Sequence, residues 1–130
     1  MNGNLIAASS FLGSVCIWQT ATSQKVCTLG DLQYPIYSVG FSPDQDRVLT
    51  ASGGRHSIQL YDLKNHQELL SLPTDKIKTE DARFSPDGNM IGFRTPMMLH
   101  MLRAPSWAEI EAAERTEEAS GSSKKADERR

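Results

Sequence analysis

The sequence predicts an all-β fold of repeated, four-stranded antiparallel sheets, closed off by a short C-terminal helix. Three observations predict it. The tetrapeptide Phe41-Ser42-Pro43-Asp44 returns 43 residues later as Phe84-Ser85-Pro86-Asp87. The interval is filled by short stretches of alternating apolar residues separated by turn-forming residues, the pattern of half-buried strands. Beyond residue 105 an Ala/Glu-rich segment replaces that pattern, and such residues favour helix.

Taken in order, the elements repeat with the same spacing. Residues 5–9 fall on 48–52, residues 14–18 on 57–61, and residues 26–29 on 69–72, with no gap at an offset of 43. A third copy starts at Ala82-Arg83-Phe84 and places Ile91 on Val48. It then loses two residues in a loop, so that residues 99–102 fall on 58–61. Ser42-Pro43-Asp44 suits a tight turn, because proline presets φ and aspartate is at home there. Ser85-Pro86-Asp87-Gly88 is the stronger version, since glycine tolerates a positive φ at the turn exit. Residues 47–52, a Gly53-Gly54 break, residues 57–62, a polar Lys64-Asn65-His66 turn and residues 68–72 complete four strands joined by hairpins.

Bulk properties exclude several classes. The chain has 130 residues, a net charge of −2 and mixed acids and bases. It therefore lacks the basic face that nucleic acids require. No apolar run approaches the roughly 18 residues needed to cross a bilayer, and Met1-Asn2-Gly3-Asn4 has no signal-peptide character. Cys16 and Cys27 have no metal-ligand spacing. They read as reduced strand thiols of a cytoplasmic protein, with a disulfide between neighbouring strands as the other reading.

The words Val39-Gly40-Phe41-Ser42-Pro43-Asp44, Val48-Leu49-Thr50-Ala51-Ser52-Gly53 and Ile58-Gln59-Leu60-Tyr61-Asp62 together resemble the first three strands of a blade in the WD-repeat β-propeller family. The Trp-Asp ending is degenerate: Trp18-Gln19 in the first copy, Tyr61-Asp62 in the second, Leu102-Arg103 in the third. The acidic residue of the turn between second and third strands falls on Leu12 and Arg55. The resemblance therefore implies blades held mainly by apolar packing, without the family's shared buried hydrogen-bond network. It implies an open, partial propeller over residues 1–104, with blade parts at 4–29 and 78–104 around a full blade at 36–72. The start at Asn4 reads as truncation. The end near Arg103, before a fourth strand, reads as the C-terminus of a larger ring whose other end supplies that strand. Bare blade faces invite association. The expected partners are accordingly a protein or peptide, together with the rest of a propeller or a second copy of this chain.

Ser106 and Glu109 form a capping box that opens a helix over 105–119. Trp107, Ile110, Ala113 and Glu114 share a face expected to lie against the last blade, with Trp107 as the docking residue. Residues 120–130 read as a disordered tail. The phrase Arg103-Ala104-Pro105-Ser106-Trp107 resembles the closing segment of bacterial WD-repeat proteins, some of which follow a serine/threonine kinase domain.

The residues point to no catalytic chemistry, no cofactor and no metal. His56, His66 and His100 lack the pairing of a zinc site, Asp44, Asp46 and Asp87 are turn formers, and Gly53-Gly54 is followed by neither a lysine nor a helix. What remains is surface. In the family, the loops before the first strand and between the second and third strands share one rim, often the binding face. On this chain that rim comprises Asp31, Tyr34, Arg55, His56, Lys76, Lys78 and Met97. The expected function is a non-enzymatic protein-interaction scaffold. The alternatives are the regulatory C-terminal part of a multidomain enzyme such as a protein kinase, or an inactive gene remnant.

Overall fold

The computed structural model describes residues 4–30, 33–74, 77–104 and 107–127. Ten strands form three antiparallel sheets. The first sheet contains β1 (Leu5–Ser9), β2 (Val15–Gln19) and β3 (Lys25–Leu29). The middle sheet contains β4 (Ile36–Phe41), β5 (Arg47–Ser52), β6 (Ile58–Asp62) and β7 (Glu68–Leu72). The third contains β8 (Asp81–Phe84), β9 (Met90–Arg94) and β10 (Leu99–Arg103). Each strand pairs with its sequence neighbour, so every sheet is a meander. The result is the expected all-β fold of successive antiparallel blades, open rather than closed into a barrel, followed by the helix α1 (Trp107–Asp127).

The Ser-Pro-Asp repeat closes the hairpin between the first and second strands of a blade, and it does so with the same wiring twice. Ser42 is buried. Its hydroxyl accepts the Arg47 N–H at 3.0 Å and donates to the Asp44 carboxylate, which in turn accepts the Asp46 N–H at 3.0 Å. In the third sheet Ser85 accepts the Met90 N–H at 2.9 Å and donates to Asp87, which accepts the Asn89 N–H at 3.1 Å. The turn exits in the left-handed region, at φ 61° for Gln45 and φ 75° for the equivalent Gly88. Only the second turn carries the residue suited to that conformation.

The middle sheet is covered on both faces. Residues 48–52 of β5 are all buried. Because side chains alternate across a strand, Val48 enters one core and Leu49 and Ala51 enter another. The first core joins Val48, Tyr61 and Ile36 to Val15, Ile17 and Leu29 of the first sheet. The second joins Leu49, Ala51, Ile58 and Leu60 to Ala82 and Phe93 of the third. One backbone bond repeats at both joints: the Ile36 N–H donates to the Ser10 carbonyl at 3.1 Å, and the equivalent Thr79 N–H donates to the Ser52 carbonyl at 3.1 Å. The Ser38 hydroxyl adds a further tie between first strands, donating to the Asp81 carboxylate at 3.1 Å and accepting the Ala82 N–H at 3.3 Å.

Three expectations change. The ungapped offset of 43 fails over β1. Ala7 lies opposite Ile17, whereas Leu49 lies opposite the equivalent Leu60, so β1 aligns at an offset of 42. The cause is a tighter turn: Ser10 N–H bonds to Ser14 O, where Ser52 N–H bonds to Ser57 O. A one-residue slip moves side chains to the other face, and Ile6 is accordingly 56% exposed. Apolar packing is also joined by a buried hydroxyl cluster, in which Ser57 and Thr79 share a 2.7 Å hydrogen bond and Thr74 bonds to Ser57.

Finally, α1 runs through Ser120 and Gly121 to Asp127 rather than giving way to a disordered tail at 120. A single helical glycine costs only about 1 kcal/mol relative to alanine. Ala113 and Glu114 are exposed and Ile110 is half-buried, so the expected face does not meet a blade at Ala113 and Glu114. Among the described residues β10 and α1 are linked by a bidentate ion pair, with the Arg103 guanidinium donating to Glu109 at 2.6 and 3.0 Å. The Trp107 side chain, Pro105, Ser106 and residues 128–130 lie outside the described residues.

Three measurements check these assignments. Leu49→Ala empties a fully buried site and is expected to cost about 2–5 kcal/mol in urea unfolding followed by tryptophan fluorescence, with Leu69→Ala, on the exposed edge strand, costing much less. Gln45→Gly is expected to raise the midpoint, because relief of left-handed strain (about 1–2 kcal/mol) exceeds the entropic cost of glycine (about 0.5–1 kcal/mol). The third concerns acid. Hydrogen bonds from Ser42 and Ser85, followed by backbone N–H groups, hold the Asp44 and Asp87 carboxyls below the ordinary aspartate range. A depressed folded pKa contributes stability that is present above the unfolded value and lost as pH falls through the folded one. The Asp44→Asn/Asp87→Asn variant is therefore expected to be less stable at neutral pH but to lose less on acidification below about pH 3.8, read as urea midpoints across that range.

Candidate functional site

The turn between β5 and β6 is built from Gly53, Gly54, Arg55 and His56. It is anchored from below. The Thr74 N–H donates to the Arg55 carbonyl at 3.0 Å, and Thr74 itself bonds to the buried Ser57 hydroxyl. The two glycines are flat beds for two tyrosines. A Cβ on Gly54 would lie 2.6 Å from the Tyr34 ring, and one on Gly53 would lie 3.3 Å from the Tyr37 ring. At Gly54 an added Cβ would force the Tyr34 ring to shift, so glycine serves close approach there rather than a positive φ.

Tyr34, Arg55 and His56 come together around a cavity of about 150 Å³, which Gln33, Ile36, Ser52 and Gln59 complete. Tyr34 is 44% exposed, and Arg55 and His56 are exposed. The site thus offers an aromatic face, one permanent cation, an imidazole and amide groups. The Gln59 amide is held from behind, donating to Glu68 at 3.0 Å.

Lys78 stands beside this cavity rather than in it. Its ammonium lies 4.5 Å from the centroid of the Tyr37 ring and 3.6 Å from Glu80. Glu80 is shared with Arg94 at 2.6 Å. Phe11 meets Tyr37 edge-on at 6.0 Å. A slip in the β4–β5 register between Ile36 and Ser38 frees Tyr37 from a partner across the ladder, as bulges do when they re-aim a side chain. Met97 lies in the equivalent turn of the third sheet, where Thr95 N–H donates to the Met98 carbonyl at 2.9 Å, and is among the most exposed apolar residues. Asp31 and Lys76 lie outside the described residues.

Phe11 and Tyr37 were missed by sequence reasoning. The signal for Phe11 was available, since the repeat offset of 43 sets it against Gly54, in the turn of Arg55. Tyr37 required the bulge, which nothing in the letters marks.

The remaining chemistry-bearing residues are structural. His100 stacks on Phe93 at 4.7 Å, with rings 10° from parallel. Cys16 lies opposite Thr28 and Cys27 opposite Ile17, so the two thiols are on opposite faces, and both are free. Burial pushes the Cys27 thiol above its ordinary range. Among the described residues no group of three His, Cys, Asp or Glu side chains could hold a metal ion, and no helix is long and apolar enough to cross a membrane.

No family model matches the chain. Seventy-five residues are 32% identical to WD repeat-containing protein 1 of Mus musculus, covering 55% of this chain and 12% of that protein. The protein of the same name from Rattus norvegicus matches to the same extent. That from Bos taurus is 37% identical over 59 residues, 43% of this chain and 10% of its own length. The chain therefore spans about 12% of the length of the curated relatives it matches. These similarities support a link to WD-repeat proteins, and they fall on mammalian members where the tail had suggested bacterial ones.

Proposed function

We propose that this chain is a non-enzymatic protein-interaction scaffold, part of a WD-repeat propeller, that binds a protein or peptide on the rim carrying Tyr34, Arg55 and His56. The observation that supports this most is the cavity those three residues share. Tyrosine and arginine are enriched where interfaces concentrate their energy, and here both are exposed, Arg55 on a turn tied down by the Thr74 and Ser57 bonds and Tyr34 in the loop before β4, against Gly54 of that turn. Lys78, Tyr37 and Met97 extend the same rim, and Asp31 and Lys76 belong to it by sequence position. Similarity to WD-repeat proteins agrees with a binding role, although fold likeness alone does not fix a function.

The outward faces of the first and third sheets have apolar residues in the open, Ile6 on one and Leu99 and Met101 on the other. In this reading they are covered by further blades of a larger propeller or by another copy of the chain.

A peptide array screened with the full chain tests the rim. Peptides that bind it are expected to lose about tenfold or more in affinity on Tyr34→Ala or Arg55→Ala. Gly54→Ala, which displaces the Tyr34 ring without altering it, is expected to act in the same direction. Binding that survives all three variants, with circular dichroism unchanged, places the partner elsewhere and removes the rim from the reading. For the open faces, light scattering is expected to show concentration-dependent association that Ile6→Glu or Met101→Glu weakens. A monodisperse dilute monomer with a sharp two-state melt would show instead that the bare faces need no cover.

A further inference from the structure

The cavity beside Tyr34 is rich in hydrogen-bond donors and carries one uncompensated charge. Among the described residues its lining includes no aspartate or glutamate. Arg55 and His56 bring N–H groups to it, and Tyr34 and Ser52 bring hydroxyls. Ser52 is only 4% exposed, and its hydroxyl oxygen accepts the Gly54 N–H at 3.4 Å, which leaves the hydroxyl hydrogen to donate elsewhere. The three arginines of the third sheet are each paired, Arg83 with Asp81 at 3.2 Å, Arg94 with Glu80 at 2.6 Å and Arg103 with Glu109 at 2.6 Å. Arg55 forms no ion pair among the described residues.

The backbone that carries this charge is held in place. The Arg55 carbonyl accepts the Thr74 N–H at 3.0 Å, and the Ser52 N–H donates to the Ser57 carbonyl at 2.8 Å across the turn. The Gly53 N–H donates to the Pro35 carbonyl at 3.3 Å, which ties the turn of Arg55 to the loop of Tyr34 and fixes the two walls of the cavity against each other. Its volume of about 150 Å³ suits one side chain. Pockets for whole small molecules run to about 300–1,000 Å³. The charge of Glu68 is engaged by the Gln59 amide at 3.0 Å. A cationic side chain entering the cavity would meet the Tyr34 ring but would also meet the like charge of Arg55. An apolar one would find only Ile36 and the Tyr34 ring to pack on, and would cover donors without giving them an acceptor.

We propose that the cavity receives one anionic side chain of the bound protein or peptide, with the Arg55 guanidinium as its counter-charge. Carboxylates and phosphate esters share this chemistry, since a guanidinium meets two oxygens of either with parallel N–H bonds. His56 adds an N–H donor in either protonation state, and the Ser52 hydroxyl adds another from the cavity wall. The net charge of the chain is −2, so its overall field does not attract acidic partners, and a preference for them arises at this site. The inference rests on the reading of the Tyr34 rim as the binding face and names the chemistry that the rim reads.

The probes are synthetic peptide libraries passed over the immobilised full chain. Each library fixes one central residue (Asp, Glu, phosphoserine, Asn, Gln, Ser or Lys) between degenerate flanks. Anionic libraries are expected to be retained about tenfold better than their Asn, Gln and Ser counterparts, and Lys to be retained least. Retention of Asp and Glu alone assigns the site to carboxylates, and of phosphoserine alone to phosphate esters; either supports the proposal. Arg55→Gln alters an exposed side chain and keeps the carbonyl that Thr74 bonds, and is expected to abolish the preference. Arg55→Lys keeps the charge but not the fork; it is expected to lessen the preference and serves if the glutamine variant fails to fold. Lys64→Gln makes the same charge change in the turn at the other end of β6 and is expected to leave the preference intact. Equal retention of neutral and anionic libraries overturns the proposal. So does a preference that survives both Arg55 variants with circular dichroism unchanged, or one that Lys64→Gln removes as fully. Neutral libraries retained in a Tyr34-dependent way would leave the rim reading standing and remove this one. A chain that retains no library, or retains all of them equally as Tyr34→Ala, removes the rim reading and this one with it.

Discussion

Everything in the structure depends on burying both faces of the middle sheet. A single antiparallel sheet can leave one face in water, but β5 carries consecutive buried residues from Val48 to Ser52, which no one-sided sheet permits. Val48 is satisfied only by the first sheet, and Leu49 only by the third. The two flanking sheets are therefore not accessories. They are the solvent that the middle sheet requires, and the repeated Ile36-to-Ser10 and Thr79-to-Ser52 bonds fix how far each blade stands from the next.

The same requirement leaves the outer sheets unfinished. Each meets a neighbour on one face only, so its other face keeps leucine, isoleucine or methionine in the open. Exposed apolar surface of this kind marks contact surfaces. The polar features sit where this packing allows them. The Ser57, Thr74 and Thr79 hydroxyls lie beneath the turn between β5 and β6, and that turn presents Arg55 and His56. Stability of the blade joint and shape of the rim thus share one set of hydrogen bonds, whereas a side chain added at Gly53 or Gly54 would meet the Tyr37 or Tyr34 ring.

Much of the architecture was legible because it is local. Ser42-Pro43-Asp44 and Ser85-Pro86-Asp87 announce the hairpin in their own chemistry, and the side-chain bonds that close it span five residues or fewer. The third copy's shortened loop was readable for the same reason, since the alternation of 99–102 must resume in phase with 58–61. The slip at β1 was not. Leu5-Ile6-Ala7-Ala8 is apolar throughout, so its letters fit either phase, and only pairing with Val15 and Ile17 across the sheet selects one. The helix end was misread because Ser120-Gly121-Ser122-Ser123 is compositionally a breaker, yet flanking helix formers carry the hydrogen-bond ladder through it.

The candidate site divides along the same line. Sequence by itself determined the repeat, the strand order and the loops that Tyr34, Arg55, His56, Lys78 and Met97 occupy, because spacing and turn chemistry are properties of neighbouring residues. Tertiary structure alone decided that Tyr34 lies on Gly54, that Lys78 sits over Tyr37 rather than in the cavity, and that Leu60, Leu70, Ile91 and Leu102 border one groove. Those contacts join residues from different strands or different sheets. Their distances follow from how the sheets pack, and packing is set by the burial of both faces of the middle sheet.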